Sequence, residues 1–159
     1  MKILVLYESF FGNTKDIAQT IVDELKQSND VCIESIETAS LDQLHHFDLI
    51  FVGSPTRAFS ASPNITAFLK EIPAHSLLGV NVAVFDTRII PKAKFIAGAL
   101  KLAGFADAKI ISLLKQSGAE ILLPGKGFIV KASEGPLEDG ELEKAAAWAR
   151  TIASRVSVS

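Results

Sequence analysis

The chain has 159 residues, and its apolar fraction of 48% and charged fraction of 21% are typical of a protein that folds around one hydrophobic core. Its 16 basic and 18 acidic side chains nearly balance, which argues against a nucleic-acid partner. No apolar run approaches the roughly 20 residues of a membrane-spanning helix, and the N-terminus does not resemble a signal peptide. We therefore expect a single domain over residues 1–159, in the cytoplasm and without an integral membrane segment.

Apolar patterning predicts five strands that alternate with helices. The predicted strands cover residues 2–7, 31–36, 47–53, 80–85 and, as two pieces around a Pro124-Gly125 turn, 120–123 and 127–131. The predicted helices start at the N-cap candidates Asn13 and Ser62, at Ala106, and at Glu138. This alternation indicates an open parallel sheet with helices on both faces. Ligands of such sheets bind beyond the carboxyl ends of the strands, so the loops after strands one, three and four form the candidate site.

The loop after the first strand has the composition of an anion-binding site. It reads Glu8-Ser9-Phe10-Phe11-Gly12-Asn13-Thr14. Short hydroxyl and amide groups, a glycine that permits close backbone approach, and the N-terminus of the following helix all favour a phosphate group. The loop has neither the Gly-Lys-Ser/Thr of a triphosphate loop nor the three spaced glycines of a dinucleotide site, which argues against both classes. The alternative is a plain helix-capping turn.

This strand and loop resemble the signature of the flavodoxins, an apolar strand ending in an aromatic residue and followed by Ser/Thr-x-x-Gly-Asn-Thr. The resemblance extends over almost the whole chain. It implies a doubly wound, five-stranded parallel sheet in the order 2-1-3-4-5, flanked by helices, and a non-covalently bound FMN. In flavodoxins this loop binds the 5′-phosphate of FMN. The resemblance therefore implies that role for Ser9, Gly12, Asn13, Thr14 and the backbone N–H groups of Phe10 and Phe11.

The loop after the third strand reads Gly53-Ser54-Pro55-Thr56-Arg57-Ala58-Phe59. It is similar to the flavodoxin loop that covers one face of the isoalloxazine ring. It also looks like the Pro-Thr-Arg-Phe loop of FMN-dependent quinone reductases, with Ala58 inserted. These resemblances imply cofactor contacts from Ser54, Pro55 and Thr56, with Phe59 either stacked on the flavin or buried in the core.

Arg57 departs from the acidic and neutral surroundings that flavodoxins give their flavin. We hypothesise that Arg57, together with Arg88, stabilises negative charge on the flavin or on a bound substrate. The alternative is that Arg57 is an exposed, solubilising side chain.

The loop after the fourth strand reads Phe85-Asp86-Thr87-Arg88-Ile89-Ile90 and lacks the tyrosine with which flavodoxins commonly complete the flavin sandwich. The resemblance places Asp86 and Thr87 at the pyrimidine edge of the ring, with Phe95 as a candidate cover. Residues 89–104 mix lysines with apolar residues and fit neither a clean strand nor a clean helix. The alternatives for this stretch are contact with a partner, with a second copy in a homodimer, or with a membrane surface.

Other reactive side chains point to no catalytic or metal site. His45 and His46 have no acid or cysteine at metal-ligand spacing, and no serine or cysteine is placed plausibly beside a base. Cys32 lies in an apolar strand and is expected to be buried. Trp148 lies in the last helix, far from the ligand loops, and is expected to pack in the core.

The charges are unevenly distributed along the chain. Residues 1–56 carry 3 basic and 9 acidic side chains, residues 57–131 carry 10 and 4, and residues 132–159 carry 3 and 5. Of the two loops expected to border the flavin ring, the one after the fourth strand lies in the basic middle segment and the one after the third strand ends in it. An acidic partner or an anionic substrate is compatible with this distribution.

The sequence therefore predicts an FMN-binding, flavodoxin-like electron-transfer protein that acts with a redox partner protein. One alternative is an FMN-dependent oxidoreductase of the quinone-reductase type, with a small quinone-like substrate, because of the Pro55-Thr56-Arg57 motif. Another is a flavodoxin-fold interaction module without flavin, because the tyrosine is missing. An electron carrier is favoured over an enzyme, and we expect no catalytic residue and no metal.

Overall fold

The computed structural model describes residues 1–58, 60–90 and 105–156. Within these ranges the chain forms strands and helices in regular alternation. In chain order they are β1 (Lys2–Tyr7), α1 (Asn13–Leu25), β2 (Asp30–Ser35), a 3₁₀ helix (Leu41–His46), β3 (Leu49–Pro55), α2 (Pro63–Glu71), β4 (Asn81–Arg88), α3 (Ala106–Gln116), β5 (Glu120–Ile121), β6 (Lys126–Ile129) and α4 (Glu141–Val156).

The strands form one parallel sheet in the order β2-β1-β3-β4-β5, which confirms the predicted doubly wound arrangement. The fifth position is shared by two short strands along β4. β5 pairs with its first residues, Asn81 and Val82, whereas β6 pairs with Phe85 to Arg88. The residues between β5 and β6 leave the sheet at the predicted Pro124-Gly125 turn.

Side chains alternate between the two faces of the sheet and pack into two separate cores. One core joins odd-numbered residues of the strands to α1 and α4: Ile3, Val5, Phe51 and Phe85 with Ile17, Ile21, Ala145 and Ala149. The other core joins even-numbered residues to α2 and α3: Leu4, Leu6, Val52 and Val84 with Ile65, Leu69, Ile110 and Leu113. This alternation determines which side of the sheet each residue at the strand ends reaches.

Trp148 packs among aromatic rings of the α1 and α4 core, as expected. Its ring makes edge-to-face contacts with Phe51, Phe85 and Phe128 at centroid distances of 5.5, 6.1 and 6.0 Å. Edge-to-face pairs at such distances stabilise a core beyond the burial of their area. Trp148 is therefore a structural residue of the sheet-helix interface.

The helix caps agree with the sequence at α2 but not at α1. Ser62 caps α2, since its side chain accepts a hydrogen bond from the backbone N–H of Ile65 at 3.2 Å. Asn13 was expected to cap α1, but it is the first helical residue and is preceded by Gly12 at φ 93° without a side-chain cap. The amide of Asn13 instead donates to the carbonyl oxygen of Glu134 at 3.1 Å. The prediction for Asn13 as a cap is therefore wrong.

Cys32 is exposed, contrary to the expectation of a buried strand cysteine. It pairs with Leu4 and so points to the face covered by α2 and α3. β2 is an edge strand, and a short 3₁₀ helix rather than an α-helix connects it to β3. The part of the face beneath Cys32 therefore has no helix to cover it.

The last helix begins later than predicted, at Glu141 rather than Glu138. The carboxylate of Glu141 is almost fully buried, and it accepts a hydrogen bond from the backbone N–H of Ile129 at 2.9 Å. This bond ties the start of α4 to the end of β6. Among the described helices, none is both long and apolar enough to cross a membrane.

Candidate functional site

A cleft of about 220 Å³ opens at the carboxyl ends of β1, β3 and β4. The three loops singled out in the sequence meet there, as the topology of a doubly wound sheet requires. The cleft is lined by Ser9, Phe10, Phe11, Asn13, Thr14, Pro55, Thr56, Arg57, Ala58, Thr87, Arg88, Ile89, Val130 and Ser133.

Most of the residues proposed from the sequence line this cleft, and three of the described ones do not. Gly12 lies behind the first loop, in a neighbouring hollow beside Tyr7 and Lys15. Ser54 and Asp86 are fully buried and do not line the cleft, so a ligand contact from either side chain stays a prediction. Phe59 lies outside the described residues, as does Phe95.

The first loop is held in place by a serine hydroxyl at the start of α1. The hydroxyl oxygen of Ser9 accepts hydrogen bonds from the backbone N–H groups of Gly12 at 3.1 Å and Lys15 at 3.4 Å. Gly12 has the left-handed backbone, φ 93°, that brings the chain from β1 into the helix and that glycine adopts without strain. The loop therefore curls around the positive end of the α1 dipole.

Thr14 joins α1 to the end of β4. Its hydroxyl and that of Thr87 are 2.8 Å apart and buried, and both residues also line the cleft. The odd-numbered Thr87 points toward the α1 face of the sheet, which places it opposite Thr14. Two hydroxyl groups therefore meet on one wall of the cleft, where the one that accepts in this pair can donate to an anionic group.

Glu8, the acid of the first loop, turns away from the cleft. Its carboxylate is 5% exposed and accepts hydrogen bonds from the hydroxyl of Ser62 and, at 3.1 Å, from the amide of Asn64. Both donors belong to the start of α2, so Glu8 fixes the N-terminus of that helix to the end of β1. The negative charge of Glu8 is therefore directed away from the first loop.

Replacing Ser62 by alanine is expected to lower the free energy of unfolding by about 2 kcal/mol. The variant loses the α2 cap, and the buried Glu8 carboxylate loses one of its two side-chain donors. Urea unfolding at pH 7 measures the effect. The exposed Ser112→Ala on α3 is the control and should stay within about 0.5 kcal/mol of the parent. An equal effect of both substitutions would contradict this role of Ser62.

The rim of the cleft combines two phenyl rings with a guanidinium group. Phe10 and Phe11 are 46% and 50% exposed, and the Arg57 Cζ lies 4.9 and 5.7 Å from their ring centroids. Ile89 adds a further exposed apolar side chain. Within the described ranges, Arg57 makes no ion pair. The rim can therefore offer a planar ligand both apolar contact and an uncompensated positive charge.

A tight turn carries Arg57 to the rim. The backbones of Arg57 and Ser60 exchange two hydrogen bonds of 2.9 Å, so they close a hairpin. Ala58 within the turn has φ 45°, in the left-handed region that residues with a Cβ adopt at an energetic cost. Strained backbone of this kind is common beside binding sites.

Arg88 does not offer the free charge that the sequence suggested. Its Nη2 lies 2.5 Å from Oδ1 of Asp86 and 3.3 Å from Oδ2 of Asp107, and its Nε donates to Asp86 at 2.7 Å. The guanidinium also stacks on Phe105 at 3.8 Å. Two carboxylates therefore balance the charge of Arg88 before any ligand is considered. The hypothesis of a free cation at the cleft applies to Arg57 alone.

Asp86 serves this network rather than the cleft itself. One carboxylate oxygen accepts from the hydroxyl of Thr56 at 2.5 Å and the other from Arg88. As even-numbered residues, Asp86 and Arg88 project toward the α3 face of the sheet, whereas Thr87 projects toward α1. Burial raises the pKa of Asp86 to about 6, and the opposing effects of Arg88 and of the Thr56 hydrogen bond are smaller.

Val130 and Ser133 were missed by the sequence analysis, although they complete the cleft. They follow β6, and the Asn13 bond to the carbonyl of Glu134 holds their loop against the first loop. Gly135 follows at φ 101°, where a Cβ would lie 2.4 Å from Oδ1 of Asn13. No local pattern in the sequence indicates that this turn reaches the first loop.

No group of three or more metal-ligating side chains occurs in the part of the chain that the structure describes. His45 and His46 lie on the 3₁₀ helix, exposed and with ring centroids 4.0 Å apart. They are remote from the cleft, since the 3₁₀ helix precedes β3 at the opposite, amino end of the strands.

An open parallel sheet with one cleft at the carboxyl ends of β1, β3 and β4 defines the class of doubly wound α/β proteins that bind ligands at this edge. A sequence profile described as "Flavodoxin domain" matches residues 4–101, more than half of the chain. The chain therefore belongs to the flavodoxin family.

Individual relatives show the likeness over the full length. The chain is 25% identical to the flavodoxin-like domain-containing protein BilS of Clostridioides difficile (strain CD3), in an alignment covering 99% of each chain. Its fold is similar to a flavodoxin from the domain Archaea, with a TM-score of 0.78, 24% identity and 99% of each chain covered. It is also similar to oxidised flavodoxin 2 of Bacillus cereus, with a TM-score of 0.76, 25% identity, and 98% and 99% covered.

Proposed function

We propose that this chain binds FMN non-covalently in the cleft and transfers electrons to or from a redox partner protein. The observation that carries the proposal is the meeting, in one cleft, of a neutral hydroxyl-rich loop at a helix N-terminus and a rim of exposed aromatic rings. These two ends suit the two ends of FMN, a phosphate and a planar ring. When bound, FMN supplies the one- and two-electron chemistry, while the protein provides binding, orientation and electrostatics.

The first loop would hold the phosphate. Ser9, Asn13 and Thr14 bring hydroxyl and amide groups to the cleft, and the start of α1 adds backbone N–H groups and its positive dipole. Glu8, the nearest acid, is already bound by two donors from α2 and is held out of the way. These neutral donors of the first loop suit a dianionic phosphate group.

The remaining cleft residues would hold the rest of the cofactor. Pro55, Thr56 and Thr87 also line the cleft and would contact the ribityl chain. Phe10, Phe11 and Ile89 are the described apolar side chains that could contact the ring, and Arg57 is the cation beside it. Stacking by Phe59 stays a prediction, as do the cytoplasmic location and a homodimer.

A titration of the apoprotein with FMN, followed by flavin fluorescence and absorbance, tests the proposal. We expect saturable one-to-one binding with quenched flavin fluorescence. Protein that remains colourless at high FMN concentration would overturn the proposal and favour an interaction module. If FMN binds, NADPH oxidation with a quinone separates the two redox classes: an electron carrier needs a separate reductase protein, whereas a quinone reductase turns over alone.

Replacing Thr14 by valine is expected to weaken FMN binding by about tenfold, because a hydrogen bond to a charged phosphate contributes roughly 1.5–3 kcal/mol. Valine keeps the shape of the side chain. The matched control is Thr20→Val on the exposed side of the same helix, where the hydroxyl bonds only the carbonyl of Asp16. Affinity for riboflavin, which lacks the phosphate, should not change. Equal loss of FMN and riboflavin affinity would assign Thr14 to the ring or to folding.

A further inference from the structure

We infer that Asp86 is a positioning residue of the cleft and that its ionisation state controls how tightly the cleft holds an anionic ligand. This inference rests on the proposed function, because FMN is the ligand used to test it. Asp86 itself does not line the cleft. It acts through the residues that do.

Asp86 connects two walls of the cleft. One carboxylate oxygen accepts a hydrogen bond from Thr56, which follows β3, and the other accepts from Arg88 at the end of β4. Both of these donors line the cleft, and the carboxylate between them is fully buried. A buried charge with two charge-assisted hydrogen bonds fixes its partners closely, since moving either one leaves the charge unpaired.

The same network extends to the start of α3. The hydroxyl oxygen of Thr56 accepts the backbone N–H of Ala106 at 3.2 Å, and Arg88 reaches the carboxylate of Asp107 at 3.3 Å. The loop after β3, the end of β4 and the N-terminus of α3 are therefore fixed relative to one another around one buried carboxyl group.

The charge of this cluster depends on the protonation of Asp86. Among the residues that the structure describes, the charged groups that face it are Arg88 from its own strand and Asp107 from α3. The neighbouring strands contribute neutral residues, Ser54 of β3 and Gly127 of β6, in register with Asp86. With both carboxylates ionised the cluster has a net charge of −1, and protonation of Asp86 brings it to zero. An anionic ligand beside Arg88 is then repelled less.

Asp86 gains or loses its proton at a pH at which binding can be measured. The pKa of Asp86 is raised to about 6, chiefly by burial; Arg88 and the Thr56 hydrogen bond oppose this rise, and the Asp107 carboxylate adds to it. Because linkage is reciprocal, an anionic ligand that binds better to the protonated form also raises the pKa of Asp86 and draws a proton to it. Anion binding near neutral pH should therefore be accompanied by proton uptake.

The test compares FMN affinity of the parent and of Asp86→Asn between pH 5 and pH 8. Asparagine has the shape of the carboxyl group and mimics its uncharged form. The ratio of the parent dissociation constant to that of the variant should rise from near one at pH 5 to about fivefold at pH 8. The FMN phosphate gains negative charge over the same pH range, so the assignment to Asp86 rests on the midpoint shift in Asp107→Asn, which leaves the phosphate unchanged. For uncharged riboflavin, the ratio of the two dissociation constants should not change with pH.

A second variant, Asp107→Asn, addresses the case in which Asp86→Asn does not fold. Its side chain is 17% exposed, so the substitution is milder. Removing this like charge should move the midpoint of the pH profile to lower pH, and ¹³C NMR of the Asp86 carboxyl in the apoprotein should show the same shift. If Asp86 had a purely structural role, Asp107→Asn would not shift the midpoint of the pH profile.

The outcomes separate the two proposals. If the parent binds FMN but the ratio of its dissociation constant to that of Asp86→Asn does not depend on pH, the inference alone is overturned. The same holds if Asp107→Asn does not shift the midpoint of the pH profile. Protein that binds no FMN at any pH would overturn the proposed function and the inference with it.

Discussion

Replacing Arg88 by methionine is expected to destabilise the protein by about 2 kcal/mol more at pH 7.5 than at pH 5, because a carboxyl of pKa about 6 that costs more than this takes up a proton instead. Arg88 supplies the positive charge beside the fully buried Asp86 carboxylate, at 2.5 Å. Methionine fills much of the same space but leaves that carboxylate with the Thr56 hydroxyl as its remaining side-chain donor. A buried charge without its partner is among the most destabilising features a single substitution can create.

The cost should be much smaller at pH 5, and the sign follows from the pKa of Asp86. Its folded-state pKa, about 6, lies above its ordinary value of 3.8. The folded protein therefore binds the extra proton, and the contribution of this group to stability is lost as the pH rises from about 4 to 6. Removing Arg88 raises the pKa further, so at pH 5 the carboxyl is neutral and needs no cation. Urea unfolding at the two pH values measures the difference.

The double variant Arg88→Met/Asp86→Asn is the matched control, because it removes the charge together with its partner. It should be more stable at pH 7.5 than Arg88→Met alone and should show little of the pH dependence. If both variants lose the same stability at both pH values, the effect of Arg88 comes from packing on Phe105 and Gly127 rather than from charge.

Replacing Gly53 by alanine is expected to cost about 3 kcal/mol, which is large for the addition of one methyl group. A Cβ at this position would lie 2.1, 2.4 and 2.7 Å from three atoms of the Phe85 ring, its register partner on β4. The ring is fully buried and packed edge-to-face on Phe128 and Trp148, so it has no space to move. Thermal or urea unfolding gives the measurement.

The Phe85→Leu background provides the control for Gly53. Leucine makes room beside the glycine, so Gly53→Ala should cost less than about 1 kcal/mol there, although Phe85→Leu is itself destabilising. An undiminished cost in this background would show that the methyl group collides with the backbone or with another side chain.

The sequence predicted the residues of the cleft best where several of them lie together in one short loop. Ser9, Asn13 and Thr14 lie in one loop between a strand and a helix, and Pro55, Thr56 and Arg57 lie in another, so placing the strands placed these residues too. Ser54 and Asp86 also lie at strand ends, but on the face that α2 and α3 cover. A motif that spans a strand end includes residues that are buried between the sheet and its helices as well as residues that reach the cleft.

By itself, the sequence determined most strands and helices and the parallel character of the sheet, because apolar periodicity and turn residues are local properties that each segment carries independently of its neighbours. The order of the strands followed from the resemblance to the flavodoxins. The tertiary structure alone decided the pairing of Arg88 with Asp86 and Asp107, the exposure of Cys32, and the arrival of Val130 and Ser133 at the cleft. Each of these depends on which helix covers a given part of the sheet or on which distant loop meets another. Desolvation and charge compensation are set by those neighbours, so burial and pKa appear only when the chain is folded.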